Sequence, residues 1–173
     1  NVAQYYERVF AGLGPGFLTK TIRMYADVGE TARAEMLINR ALLAEEPQWW
    51  QAIYEIIKSH GAVDWETRLI RTTYLRLGEI AAGSFPPDAA EKLIQEGIAW
   101  VDEQSKKVES EAEPEEAESA DSDDTKAPNM AKVYKATRGL MLNFGSQLDE
   151  RRQDKYRARS RAQQALEIFR ELE

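Results

Sequence analysis

The densest group of side chains that could bind a ligand is a basic segment near the end of the chain. It covers residues 151 to 161, where six basic groups and one carboxylate, Asp154, give a net charge of +5. Such a group can contact phosphates, dock on an acidic protein surface, or pair with acidic residues of the same chain. A helix that carries its charges in water is the fourth interpretation. The six basic residues are Arg151, Arg152, Lys155, Arg157, Arg159 and Arg161.

Two adjacent tryptophans, Trp49 and Trp50, are the second candidate site for a partner. Consecutive residues of a helix point about 100° apart, so the two indoles cannot enter the same crevice. We expect one ring in the core. The other ring, if exposed, would anchor a partner, because aromatic side chains dominate interface energetics. The alternative is that helices on two sides cover both rings.

Three further motifs suggest catalysis or phosphate binding only at first sight. The glycine-rich residues 12–16 follow a helical pattern, lack the G-x-G-x-x-G spacing, and contain a proline, so they predict a helix break. His60 lies at the predicted end of a helix, where a cationic imidazole favours the helix dipole. Ser146 does not belong to a G-x-S-x-G nucleophile elbow. None of the three predicts a catalytic site.

Composition narrows the possible chemistry further. The chain has 173 residues, no cysteine and one histidine, which excludes disulfides, thiolate metal sites and any centre that needs two imidazoles. We therefore expect a protein that is not an enzyme, with no cofactor and no metal. No stretch approaches the roughly 18 apolar residues of a membrane span, so we expect no membrane contact and a cytoplasmic location. The chain starts at Asn1 instead of Met, which suggests a fragment of a longer protein.

Charge is distributed unevenly along the chain. The net charge is −7, but residues 109–124 hold nine carboxylates and no basic group, and the remaining residues carry 23 basic against 21 acidic groups, or +2. A segment so acidic and so poor in large apolar residues cannot bury enough area to offset its ordering entropy. We predict a disordered acidic tether over residues 106–129.

Apolar residues recur every three or four positions outside the tether, which predicts an all-α fold. Six predicted helices lie within residues 1–105, and short turns make sequential helices antiparallel. Two more are predicted at 130–144 and 149–172, on either side of Gly145. On a wheel of the last helix, Arg151 and Lys155 extend its apolar stripe. The predicted domains are a helical body over 1–105, the tether, and a basic C-terminal hairpin over 130–173 that packs on the body.

Small and aromatic residues recur at fixed distances in one predicted helix pair, at Tyr25, Gly29, Ala34, Ile38, Ala41 and Pro47. A second, partial set is Tyr74, Leu77, Gly78, Ala81, Ala90 and Ile94. In this spacing the sequence resembles a tetratricopeptide repeat. The resemblance implies an α-solenoid with a concave protein-binding surface and no catalytic residues. An irregular helical bundle is the alternative architecture.

These observations predict a non-catalytic helical scaffold or adaptor with a regulatory role, whose partner is another protein. One alternative is a nucleic-acid-associated regulator that acts through the basic segment. Another is a regulatory substrate that is switched by proteolytic cleavage of the acidic tether. An intramolecular contact between the tether and the basic helix also stays open.

Overall fold

The computed structural model describes residues 2–41, 47–61, 63–111 and 129–173. Within these ranges it describes the side chains of all residues except 2–13, 15, 47 and 48. All regular elements in these ranges are α-helices, which confirms the predicted fold class. The helices are α1 (Val2–Asp27), α2 (Thr31–Ala41), α3 (Pro47–Ser59), α4 (Thr67–Ser84), α5 (Pro87–Glu111), α6 (Met130–Arg151) and α7 (Lys155–Leu172).

The helices divide into two compact units, and the boundary lies inside α4, between Leu77 and Gly78. Unit 1 is residues 1–77 and unit 2 is residues 78–173, so α5 belongs with the C-terminal hairpin. The predicted division at 105 and 129 stays a prediction. Helix α5 continues to Glu111, inside the predicted tether, and residues 112–128 of that tether lie outside the described residues.

Unit 1 is built on the apolar faces of α1, α2, α3 and the start of α4. Apolar residues spaced by three and four positions give each helix one apolar side, and these sides pack together in a common core. The residues that α2 contributes to this core are small or branched. The buried members are Leu18, Ile22, Ala26, Ala34, Leu37, Ile38, Ala41, Ile53, Ile56, Trp65 and Leu69.

Two glycines with positive φ shape the chain in unit 1. Gly14 has φ 75° and ψ 173°, which interrupts α1 and confirms the break predicted for residues 12–16. Gly29 has φ 77° after the end of α1, as a left-handed C-terminal cap requires. The following amide, of Glu30, donates to the carbonyl of Tyr25 at 2.9 Å and closes the turn into α2.

Unit 2 contains α5, α6 and α7 as successive antiparallel helices. Arg138 Nε of α6 donates to Asp102 Oδ1 of α5 at 2.9 Å. Lys135, near the start of α6, forms an ion pair with Glu171, near the end of α7. At Gly139 a Cβ atom would lie 3.0 Å from the Phe169 ring, so α6 and α7 approach closely there. Helix α6 therefore packs between α5 and α7, and α7 reaches α5 through the side chains of Arg157 and Arg161.

The predicted helix break at Gly145 is wrong, because α6 runs without interruption from Met130 to Arg151. Gly145 is buried instead, and a Cβ atom there would lie 2.8 Å from Arg161 Nη1. The chain turns later, where Gln153 adopts φ 62°. Asp154 then caps α7 by accepting a 3.1 Å hydrogen bond from the amide of Arg157.

Candidate functional site

The basic segment, residues 151–161, lies across the turn between α6 and α7. Arg151 is the last residue of α6, and Lys155 is the first of α7. The two therefore do not extend one apolar stripe as predicted, because the turn changes the helical register between them. Both side chains are exposed.

Arg161 is the centre of a buried ion cluster in unit 2. Its Nη1 donates to Asp149 Oδ2 at 3.1 Å and to Glu91 Oε2 at 3.0 Å, while Nη2 bonds the second oxygen of Glu91. The side chain of Asp149 is fully buried, and those of Glu91 and Arg161 are 13% and 14% exposed. The cluster thus joins α5, α6 and α7 where solvent is scarce.

Gly145 gives the Arg161 guanidinium its place against α6. Nη1 also donates to the Gly145 carbonyl at 3.3 Å. A β-carbon at residue 145 would be 3.0 Å from Arg161 Cδ and 3.1 Å from Cζ. A side chain larger than that of glycine at position 145 would therefore collide with Arg161, so the position of the guanidinium depends on Gly145.

Three more basic residues are bound within unit 2. Arg157 Nη2 donates to Glu91 Oε1 at 3.2 Å. Arg152 forms an ion pair with Asp88 and lies 3.8 Å from Glu91. Arg151 donates to the carbonyl of Phe85, which lies just before α5. Four of the six predicted partner-binding cations, with Arg161 included, therefore hold the hairpin to the start of α5.

The pKa of Glu91 is lowered because Arg161 donates hydrogen bonds to its carboxylate, which outweighs the opposing effect of burial. A carboxyl group with a lowered pKa stabilises the fold above its unperturbed value of 4.5, and this contribution disappears as pH falls through the folded pKa. We expect the urea midpoint to fall as pH decreases below 4.5, and to fall less in Glu91→Gln. Glu103→Gln is the control, because this exposed carboxylate forms a surface ion pair with Lys107, and we expect it to keep the native pH slope. An equal pH slope in Glu91→Gln and the native chain would contradict the assignment.

Lys155 and Arg159 have a different environment from the other four cations. Both are exposed, and neither has an ion pair within the described part of the chain. Tyr156 is 86% exposed and Leu166 is 48% exposed, about 80° apart around the solvent side of α7. We call this side the outward face of α7, and its members, all exposed, are Lys155, Tyr156, Arg159, Ala162, Gln163, Leu166 and Arg170.

The tryptophan pair belongs to unit 1. Trp50 is 3% exposed, and the Arg76 guanidinium lies 6.0 Å from its ring centre. Trp49 is half-buried and packs against the unit 1 core. One ring is therefore in the interior, and the other is partly covered.

The remaining polar motifs have local partners. His60 Nε2 lies 2.7 Å from Asp27 Oδ1 and connects the ends of α3 and α1. Ser146 is buried and donates to the Ala158 carbonyl at 2.8 Å. Among the described residues no group of three acidic or histidine side chains is arranged to hold a metal ion.

Neither the partners of Arg161 nor the outward face of α7 was predicted from the sequence. Ala158, Arg161 and Ala165 are spaced by three and four residues, which places Arg161 on the packed side of α7. The packed position of Arg161 could therefore have been predicted from the sequence. Its partner Glu91 could not, because Glu91 lies 70 residues away and a helical wheel does not show which helices become neighbours.

None of the described helices combines the length and the hydropathy of a membrane span.

Comparisons with known proteins give no relative from which a role could be inferred. No family model, no curated protein and no solved structure matches the chain.

Proposed function

We propose that this protein is a non-catalytic helical adaptor that binds another protein through the outward face of α7, with the cytoplasm as its compartment. The observation that carries the proposal is the exposure of Tyr156 and Leu166 beside unpaired cations of the same helix. Tyrosine and arginine are the residue types enriched at the energetic centres of protein interfaces.

The division of the basic segment supports this surface. Arg151, Arg152, Arg157 and Arg161 already have acceptors inside unit 2, so their replacement would disturb the fold first. Lys155 and Arg159 have none among the described residues. The resemblance to a tetratricopeptide repeat supports the same class of partner, because that family binds proteins.

A nucleic-acid partner receives less support from the same contacts. Affinity for nucleic acid comes chiefly from neutralised phosphates, and a typical binding protein makes about 6 to 10 phosphate contacts. The outward face offers Lys155, Arg159 and Arg170, with Ala162 and Leu166 between the two arginines. An apolar centre of this kind suits a protein surface better than a phosphate backbone.

The test is site-specific photo-crosslinking in cells of the source organism. A photoreactive amino acid is placed at residue 162 or 166, and the control is residue 164, which is exposed and lies about 160° from both around α7. We expect the same protein adduct from residues 162 and 166 and not from 164. The captured protein, once purified, should bind the native chain and lose about tenfold or more in affinity for Leu166→Asp.

Two outcomes would contradict the proposed function. In the first, residues 162, 164 and 166 give the same adducts, which indicates collision with no preferred face. In the second, the adducts are nucleic acid and depend on Arg159. Unchanged far-UV circular dichroism of each variant ensures that neither outcome reflects unfolding.

A further inference from the structure

We infer that the segment that docks on the outward face of α7 is an acidic amphipathic helix of a partner protein. This inference rests on the proposed function and specifies the chemistry of its partner.

The spacing of the outward face favours a helical partner. Tyr156, Arg159, Gln163, Leu166 and Arg170 follow one another at intervals of three, four, three and four residues. This is the spacing of the contact positions in a pair of helices that pack side by side. The opposite side of α7 is already packed, through Ala158 and Ala165, so the seam faces away from α6. An extended peptide would not match this repeat along its length.

The charge of the face favours an acidic partner. Arg159 and Arg170 are eleven residues apart, or about 16 Å along the helix axis. Arg159, Ala162, Gln163, Leu166, Glu167 and Arg170 line one shallow groove, in which the apolar side chains lie between the two arginines. Glu167 lies beside Arg170 in this groove, and α7 has no acidic residue before it, so the positive charge is concentrated at the Lys155 and Arg159 end. A complementary helix carries carboxylates opposite that end and leucine-like side chains opposite Leu166.

Other occupants fit the face less well. A second copy of this chain in parallel order would bring Lys155 and the arginines together, and like charges across an interface disfavour pairing. A second copy in antiparallel order would set Arg159 near Glu167, so self-association of the native chain in sedimentation equilibrium would overturn the inference. The chain's own residues 109–124 have the carboxylates but only alanine and proline as apolar residues. They offer nothing of a size to contact Leu166 and Tyr156.

The experiment measures binding of a designed peptide to the full chain by fluorescence anisotropy. The peptide is three heptads long, with leucine at the two seam positions and glutamate at the flanking positions, whose mutual repulsion keeps it monomeric. We expect Leu166→Asp to weaken binding by about tenfold or more. Gln164→Asp places the same new carboxylate on the far side of α7, and we expect less than about a threefold change from it.

Two further probes separate this inference from recognition of charge alone. The first is a synthetic peptide with the sequence of residues 109–124, which has nine carboxylates and no large apolar side chain. We expect it to bind about tenfold more weakly or worse than the designed peptide. Equal affinity would overturn the inference, as would tighter binding of a short DNA duplex that is lost in Arg159→Ala.

The failure of this inference is distinguishable from that of the proposed function. If the designed peptide does not bind the native chain but crosslinking from residues 162 and 166 still captures one protein, the acidic helix is wrong and the protein-binding face stands. If crosslinking shows no preferred face either, both are wrong.

Discussion

Arg161→Ala is expected to lower the free energy of unfolding by about 3 to 5 kcal/mol, as found when one partner of a buried ion pair is removed. The substitution leaves Glu91 and Asp149 as two carboxylates in a poorly hydrated site with no cation of comparable geometry. Arg157 reaches the same carboxylates, but its nitrogens lie 3.2 Å from Glu91 and 4.0 Å from Asp149. It cannot replace the two-sided contact of Arg161. Urea unfolding followed by circular dichroism measures the loss.

Arg159→Ala is the matched control for this prediction. The two arginines are two residues apart on α7, but Arg159 is exposed and has no ion pair among the described residues. Exposed substitutions of this kind change stability by about 0.5 kcal/mol or less. Equal losses for the two variants would contradict the buried cluster, because they would show a general effect of charge on α7.

The effect of Gly145→Ala on the free energy of unfolding is expected to change sign with the residue at position 161. In the native chain the new Cβ atom would lie 2.8 Å from Arg161 Nη1, and the guanidinium cannot move away without leaving Glu91 or Asp149. We expect a net loss of about 1 to 3 kcal/mol. In the Arg161→Ala background the obstacle is absent, and alanine should stabilise the helix by up to about 1 kcal/mol over glycine.

Gly83→Ala controls for helix propensity in the same cycle. Gly83 lies in the part of α4 that belongs to unit 2, and a Cβ atom there would meet nothing within 4 Å. Gly83→Ala should therefore raise the free energy of unfolding slightly in both the native and the Arg161→Ala backgrounds. If Gly145→Ala behaves like Gly83→Ala in the native chain, the close approach of Arg161 to α6 is wrong.

Gly145 also shows where interpretation of the sequence reached its limit. A glycine inside an apolar pattern indicates either the end of a helix or a place where another group comes close, and the pattern alone does not distinguish them. Here the second applies. The actual end of α6 depends on Gln153, a residue with no special preference for positive φ. Asp154, a good capping residue, was the available signal for the start of α7.

The fold class could be predicted because the spacing of apolar residues is a local property. Ala34, Ile38 and Ala41 are spaced by four and three residues, which predicts one face of a helix, and all three are buried. The ion cluster depends on which helices become neighbours, and Asp149 and Glu91 have no local feature that separates them from solvated carboxylates. The six cations were treated as one group for the same reason, because the sequence does not show which of them have a carboxylate from another helix beside them.

The most direct test of the division within the basic segment compares Arg161→Ala and Arg159→Ala in two assays. The unfolding free energy and the affinity for the designed acidic peptide are measured for both variants, at a temperature where both remain folded. We expect Arg161→Ala to lose stability and keep its affinity, and Arg159→Ala to keep its stability and lose affinity. Loss of affinity in Arg161→Ala, with Arg159→Ala unchanged in both assays, would contradict the account.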